Sequence, residues 1–203
     1  MKVAVIGATG KAGSRLVSEL LNRKHEVTGI ARHPENLAPR PGLKLERADI
    51  HDSAAMAKLI SHHDAVIHAV RFVHTDLPAL LAALKLAGVR RLLVVGGAGS
   101  LEVAPGLQLV DSPSFPPAVR PESKAGCEFL NAMRANAELD WTFLSPSAVF
   151  EPGERTGEFR LGGDALLTAA DGYSRISMED FALALVNELE HPAHTRRRFT
   201  VGY

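Results

Sequence analysis

The sequence has a single cysteine, Cys127, no excess of either charge, and no apolar run of membrane-spanning length. One thiol cannot form an intrachain disulfide, and no basic segment followed by a long apolar stretch precedes the first expected strand. A reducing, cytoplasmic setting is therefore expected. Lys and Arg total 23, as do Asp and Glu, so the net charge is zero. No general attraction to nucleic acid or an anionic membrane follows from that balance, and a small-molecule substrate suits it better. A stretch of roughly 20 apolar residues, the length that spans a bilayer, is missing. Repeats and low-complexity linkers are also missing, and composition leaves the oligomeric state open.

A chain of 203 residues, 46% hydrophobic, is long enough to bury one full core, so residues 1–203 are expected to form a single domain. Short β-branched runs alternate with stretches of helical spacing. Val3–Ile6 predicts a strand, 11–23 a helix, Glu26–Ala31 and Leu43–Ala48 strands, and Ser53–Ser61 a helix capped by Asp52 or Ser53. Ala65–Val70 and Arg91–Val95 predict further strands, with a helix over Thr75–Ala87 stopped by Gly88. Strands that are apolar throughout and separated by helices indicate an α/β fold of Rossmann type, a doubly wound parallel sheet covered on both faces. Beyond this, Gly96–Arg120 reads as a long loop, Pro121–Asn136 as a helix, Trp141–Leu144 as a strand and Gly153–Gly163 as a loop. Ala165–Ala169 reads as a short strand, Met178–Leu189 as a helix with Ser177 as its cap, and Arg198–Val201 as the last strand. The C-terminal third is expected to supply a small substrate-side lobe.

Gly7, Gly10 and Gly13 fall in the first strand-to-helix turn, the context that gives a glycine pattern its meaning. Gly7 permits the tight turn, Gly10 lets backbone approach a pyrophosphate, and Gly13 lets helix pack on strand. The amides at the start of the helix then hold the phosphates. A P-loop is rejected, because position 5 is Val and position 12 is Ala where that motif needs Gly and Ser or Thr.

With its Gly-x-x-Gly-x-x-Gly spacing, the chain resembles an atypical short-chain dehydrogenase/reductase. The relevant group contains NmrA-like proteins, biliverdin reductase B-like flavin reductases and Rrf2-linked NADH-flavin reductases. The resemblance rests on Gly7-Ala8-Thr9-Gly10-Lys11-Ala12-Gly13, Ile30-Ala31-Arg32, Ala48-Asp49-Ile50 and Asp64-Ala65-Val66-Ile67. It extends through Gly88-Val89-Arg90-Arg91-Leu92, Val95-Gly96-Gly97-Ala98-Gly99-Ser100, Pro146-Ser147-Ala148 and Arg175-Ile176-Ser177-Met178-Glu179-Asp180. It implies that Thr9, Gly10, Lys11 and Ala12 contact a pyrophosphate, that Asp49 and Ile50 contact adenine, and that Ala69 and Val70 contact a ribose. Pro146 and Ser147 would lie near the nicotinamide.

Most reductases of that superfamily carry Tyr-x-x-x-Lys on the helix after the fifth strand. Here the matching stretch is Arg120-Pro121-Glu122-Ser123-Lys124, and the chain's two tyrosines, Tyr173 and Tyr203, lie elsewhere. The acid that reduces a carbonyl is thus missing, while Lys124 remains to meet a ribose and Ser100 stands near the family's active-site serine. A ketone needs a proton from a positioned group, whereas a flavin spreads the incoming charge over its rings. The resemblance therefore implies hydride transfer to a flavin- or quinone-type acceptor, with flavin as substrate. A redox sensor that binds dinucleotide without turnover, or an NAD(P)-dependent epimerase or isomerase, is the alternative. The second strand ends Thr28-Gly29-Ile30-Ala31-Arg32-His33 with no acid to repel a 2′-phosphate. Arg32 can pair with that phosphate, which favours NADP over NAD.

His62, His63, His68 and His74 lack metal-ligand spacing, so no metal is expected. Cys127 reads as a structural thiol, and Arg196-Arg197-Arg198 as a solvated edge.

Overall fold

Runs such as Val3-Ala4-Val5-Ile6 are buried on both sides because they are interior strands of one sheet. The computed structural model describes residues 1–203. In chain order the elements begin β1 (Lys2–Ile6), α1 (Lys11–Asn22), β2 (Glu26–Ala31), β3 (Leu43–Arg47), α2 (Ser53–Ile60), β4 (Ala65–His68), α3 (Leu77–Ala87) and β5 (Arg91–Val95). They continue with β6 (Glu102–Ala104), β7 (Leu107–Gln108), α4 (Arg120–Arg134), β8 (Asp140–Pro146), β9 (Val149–Glu151), β10 (Arg160–Gly162), β11 (Arg175–Ser177), α5 (Met178–Glu190) and β12 (Arg197–Gly202).

Eight strands form the main sheet in the order β10-β12-β8-β5-β4-β1-β2-β3. All its pairings are parallel except β10 with β12. The chain leaves β1 towards β2 on one side and returns to β4 on the other. That reversal opens a crevice at the carboxyl ends of β1 and β4. Two cores flank the sheet. Leu16, Leu20, Phe181 and Leu185 of α1 and α5 pack on one face. Met56, Leu80, Phe129 and Met133 of α2, α3 and α4 pack on the other, against Trp141 and Phe143.

Local chemistry sets the helix ends. Asp52, Asp76 and Ser177 accept hydrogen bonds from the amides of Ala55, Ala79 and Asp180, closing the starts of α2, α3 and α5. Gly88 ends α3 in the left-handed conformation, φ 71°.

The C-terminal third departs from the sequence pattern. Ala165–Ala169 is no strand, and only Ala165 bridges Glu102. Residues 160–162, read as loop, instead form β10 at the sheet edge, and β9 with β11 make a separate parallel pair beyond the end of β8. The long loop after β5 contains the hairpin β6–β7. Pieces of two or three residues are too short to display a period, so tertiary pairing decides them. Arg198 is a further correction. Its side chain is 3% exposed and pairs with Asp164, because it lies on β12 beside Ser145 and is not at a solvated edge. No helix is long and apolar enough to cross a membrane.

Candidate functional site

At the crevice the glycines differ in what they do. Gly7 has φ 88°, and a Cβ there would sit 2.5 Å from the Ala69 carbonyl oxygen, so the ends of β1 and β4 meet backbone to backbone. A Cβ on Gly13 would lie 2.1 Å from the Gly7 carbonyl oxygen, so Gly13 fits α1 onto its own entry turn. At Gly10, with extended backbone at φ −69° and ψ 166°, a Cβ would lie 3.2 Å from its nearest neighbour, the Gly7 carbonyl oxygen.

Gly10 is also the N-cap of α1, and no side chain caps that helix. Gly10 N–H bonds back to Gly7, but the amides of Thr9, Lys11, Ala12 and Gly13 donate to no group of the protein. Four free donors at a helix N-terminus, with no Cβ at Gly10, make a receptacle for phosphate oxygens.

The crevice has a volume of about 330 Å³, and eight of the expected residues line it: Gly7, Thr9, Gly10, Arg32, Asp49, Ile50, Ala69 and Val70. Lys11, Ala12 and Gly13 stand directly behind, in the first turn of α1. Residues not anticipated from the pattern complete the lining, among them His33, Asn36, His51, Arg71 and His74. The signal for them was positional, since each follows the carboxyl end of β2, β3 or β4, the side of the sheet on which the crevice opens. Asp49 accepts from His51 at both its amide (3.0 Å) and its ring (2.6 Å), and the amide bond above all holds its carboxyl below the usual range. Arg32 is exposed at the mouth and pairs with no carboxylate, whereas Glu35 is occupied by His33 (3.2 Å) and Arg47 (3.0 Å).

The second group of expected residues lies outside that lining. Ser100 is buried in a turn where Leu101 N–H bonds to the Ala98 carbonyl at 2.9 Å. Lys124 is exposed on α4. Pro146 ends β8, and Ser147 is fully buried with its hydroxyl donating to the Val201 carbonyl at 3.0 Å. Arg120, which the resemblance sets at the tyrosine position, donates to the carbonyls of Val110 (2.5 Å) and Phe115 (3.1 Å) and fastens the long loop to α4.

The histidines disperse. His63 bonds to Thr28 at 2.8 Å, while His68 is fully buried, bonds to Thr75 at 3.0 Å, and is pushed down to about 4 by burial. Burial first, then the nearby Asp111, pushes the Cys127 thiol up, away from nucleophilic character.

A sheet reversing beside β1, with an uncapped, glycine-lined helix start at the reversal, defines a Rossmann-type dinucleotide-binding protein. The NAD(P)H-binding family profile matches residues 7–192, and the chain belongs to that family. Bacillus subtilis YwnB, an uncharacterized protein, is 41% identical over 211 residues, spanning 99% of this chain and 98% of its own. A Bacteroides thetaiotaomicron protein assigned by inference as an epimerase superposes with TM-score 0.95 at 44% identity, covering 100% of this chain and 96% of that one. A Streptococcus pneumoniae protein assigned by inference as an NADH-flavin reductase superposes with TM-score 0.85 at 34% identity, covering 100% and 99%. The chain is thus an NAD(P)H-binding protein of Rossmann fold, and its cradle of free amides fits the nicotinamide dinucleotide of its family.

Proposed function

We propose that the protein is a cytoplasmic NADPH-preferring reductase that delivers hydride to a small-molecule acceptor of flavin or quinone type. The observation that carries this reading is Arg120. It occupies the position of the carbonyl-reducing acid, and its guanidinium is spent on two backbone carbonyls.

Bound NADPH supplies two electrons as hydride, and the acceptor takes its remaining proton from water. The protein's own work is binding and orientation. The amides of Thr9, Lys11, Ala12 and Gly13 hold the pyrophosphate. Asp49 and Ile50 bracket the adenine end, and Ala69 and Val70 form the opposite wall. Arg32, free of carboxylates, takes the 2′-phosphate as a charge-assisted, forked pair. Lys124 and Ser100 are assigned to the acceptor side, Lys124 towards the ribose hydroxyls and Ser100 towards the substrate. Pro146 and Ser147, at the end of β8, would lie near the nicotinamide, the Ser147 hydroxyl being already bonded to the Val201 carbonyl.

The test is a panel of FMN, FAD, riboflavin, simple quinones and simple ketones, followed by loss of the near-ultraviolet absorbance of NADPH. Turnover with flavins or quinones is expected and ketone reduction is not. Efficient ketone reduction with no flavin or quinone turnover overturns the reading.

A further inference from the structure

One wall of the crevice is the segment running from Ala69 to His74, of which Ala69, Val70, Arg71 and His74 face the cavity. This segment includes a single 3₁₀ turn, Phe72–His74, whose own preceding residue, Arg71, gives it no side-chain cap. An isolated turn of this kind has little hold on its own geometry. The cap comes from another element. Glu122, in the first turn of α4, accepts hydrogen bonds from the amides of Phe72 (2.8 Å) and Val73 (3.2 Å), and one of its oxygens lies 3.5 Å from the Arg71 guanidinium.

Packing reinforces the link. A Cβ on Gly126, one turn further along α4, would sit 2.9 Å from the Phe72 ring, so α4 and the turn meet without clearance. At its far end the segment is tied by Thr75, which donates to the Arg71 carbonyl and bonds to His68, each at 3.0 Å. The helix that would carry a tyrosine acid therefore carries two tethers. Arg120 grips the loop after β5, and Glu122 grips the wall after β4.

We propose that Glu122 is a positioning residue for the dinucleotide: by capping the 72–74 turn from α4, it holds the 69–74 wall at the separation from the glycine turn that the bound cofactor requires. This rests on the cofactor assignment and is independent of the acceptor.

The experiment uses the full chain with Glu122→Ala, Glu122→Gln and, as a control for charge on the same helix, the exposed Glu128→Ala. NADPH affinity is read from nucleotide fluorescence without turnover. Melting temperature is measured in parallel, and KM and kcat are measured with whichever acceptor supports activity. Loss of a pair of hydrogen bonds to a charged group predicts NADPH binding weakened about tenfold in Glu122→Ala. Glu122→Gln, which keeps one acceptor oxygen, is expected to lose less, and Glu128→Ala nothing. KM for NADPH should rise while kcat changes little. Wild-type affinity in either Glu122 variant overturns the proposal. So does an equal loss in both that merely follows a lowered melting temperature. If Glu122→Ala does not fold, Glu122→Gln decides between the two outcomes. Normal NADPH binding by wild-type protein that reduces no flavin or quinone sinks the acceptor reading and leaves this one standing. A wild-type chain that binds no dinucleotide overturns both.

Discussion

Three glycines of one motif make three different demands, and substitutions separate them. At Gly10 the backbone is already in a region open to any residue, and an added Cβ would stand 3.2 Å from its nearest neighbour. Gly10→Val should therefore fold while filling the space where phosphate approaches, and NADPH binding should be lost. Gly13→Val drives a Cβ to within 2.1 Å of backbone, so it should fail to give a stable fold. Circular dichroism with equilibrium binding distinguishes the two, and a folded Gly10→Val that keeps wild-type affinity contradicts the assignment. Arg32 is the residue that reads the 2′-phosphate in the proposed complex. Arg32→Ala should weaken NADPH binding by about 1.5–3 kcal/mol, roughly 10- to 150-fold, and leave NADH nearly unchanged. Equal losses for both cofactors would show that Arg32 does not touch that phosphate.

Individual elements were legible where length allowed a period to repeat. The helices over 11–22, 77–87 and 178–190 and the strands from β1 to β5 follow directly from apolar spacing and punctuating glycines. Elements of two or three residues such as β9, β10 and β11 carry no such signal and exist because a neighbouring backbone offers them partners. One helix end is suboptimal. Beyond the cap of α1, Lys24 takes φ 67°, with its amide bonded to Leu21 and the next to Leu20, a left-handed exit that suits glycine. Lys24 is exposed. Relief of the αL penalty, about 1–2 kcal/mol, exceeds the added chain entropy of glycine, about 0.5–1 kcal/mol, so Lys24→Gly should stabilise the protein by about 0.5–1 kcal/mol. Denaturant unfolding checks this, and a lower midpoint refutes it.

At the scale of the whole molecule, pH acts through groups that folding moves away from water. His68 is buried among Phe72 and Phe129, stacked 5.3 Å from the latter, and its Nδ1 has no partner. Burial depresses its pKa to about 4 in the folded chain, against about 6.5 when exposed. The unfolded chain therefore binds more protons between those values. The stability contribution is intact above about pH 6.5 and is lost as pH falls towards about 4, on the order of 3 kcal/mol in full. Below that, Glu19 and Glu188 extend the loss. The hydrogen bond from Arg155 leads in holding Glu19 low. At Glu188, burial pushes up but the bonds from His194 and Ala193 outweigh it. Denaturant midpoints measured across this range for wild type and His68→Leu test the assignment, and an unchanged acid limb in the variant refutes it.

By itself the sequence determined the alternation of strands and helices and the glycine turn that names the cofactor class, because each is encoded by neighbours within a few residues. Only the tertiary structure decided that Ala69 closes against Gly7, that Arg198 turns inward to Asp164, and that Arg120 and Glu122 fasten two loops across α4. Those contacts join residues from five to more than sixty positions apart. Which distant backbone groups a side chain meets is set by how the sheet and helices pack, and no local spacing records it.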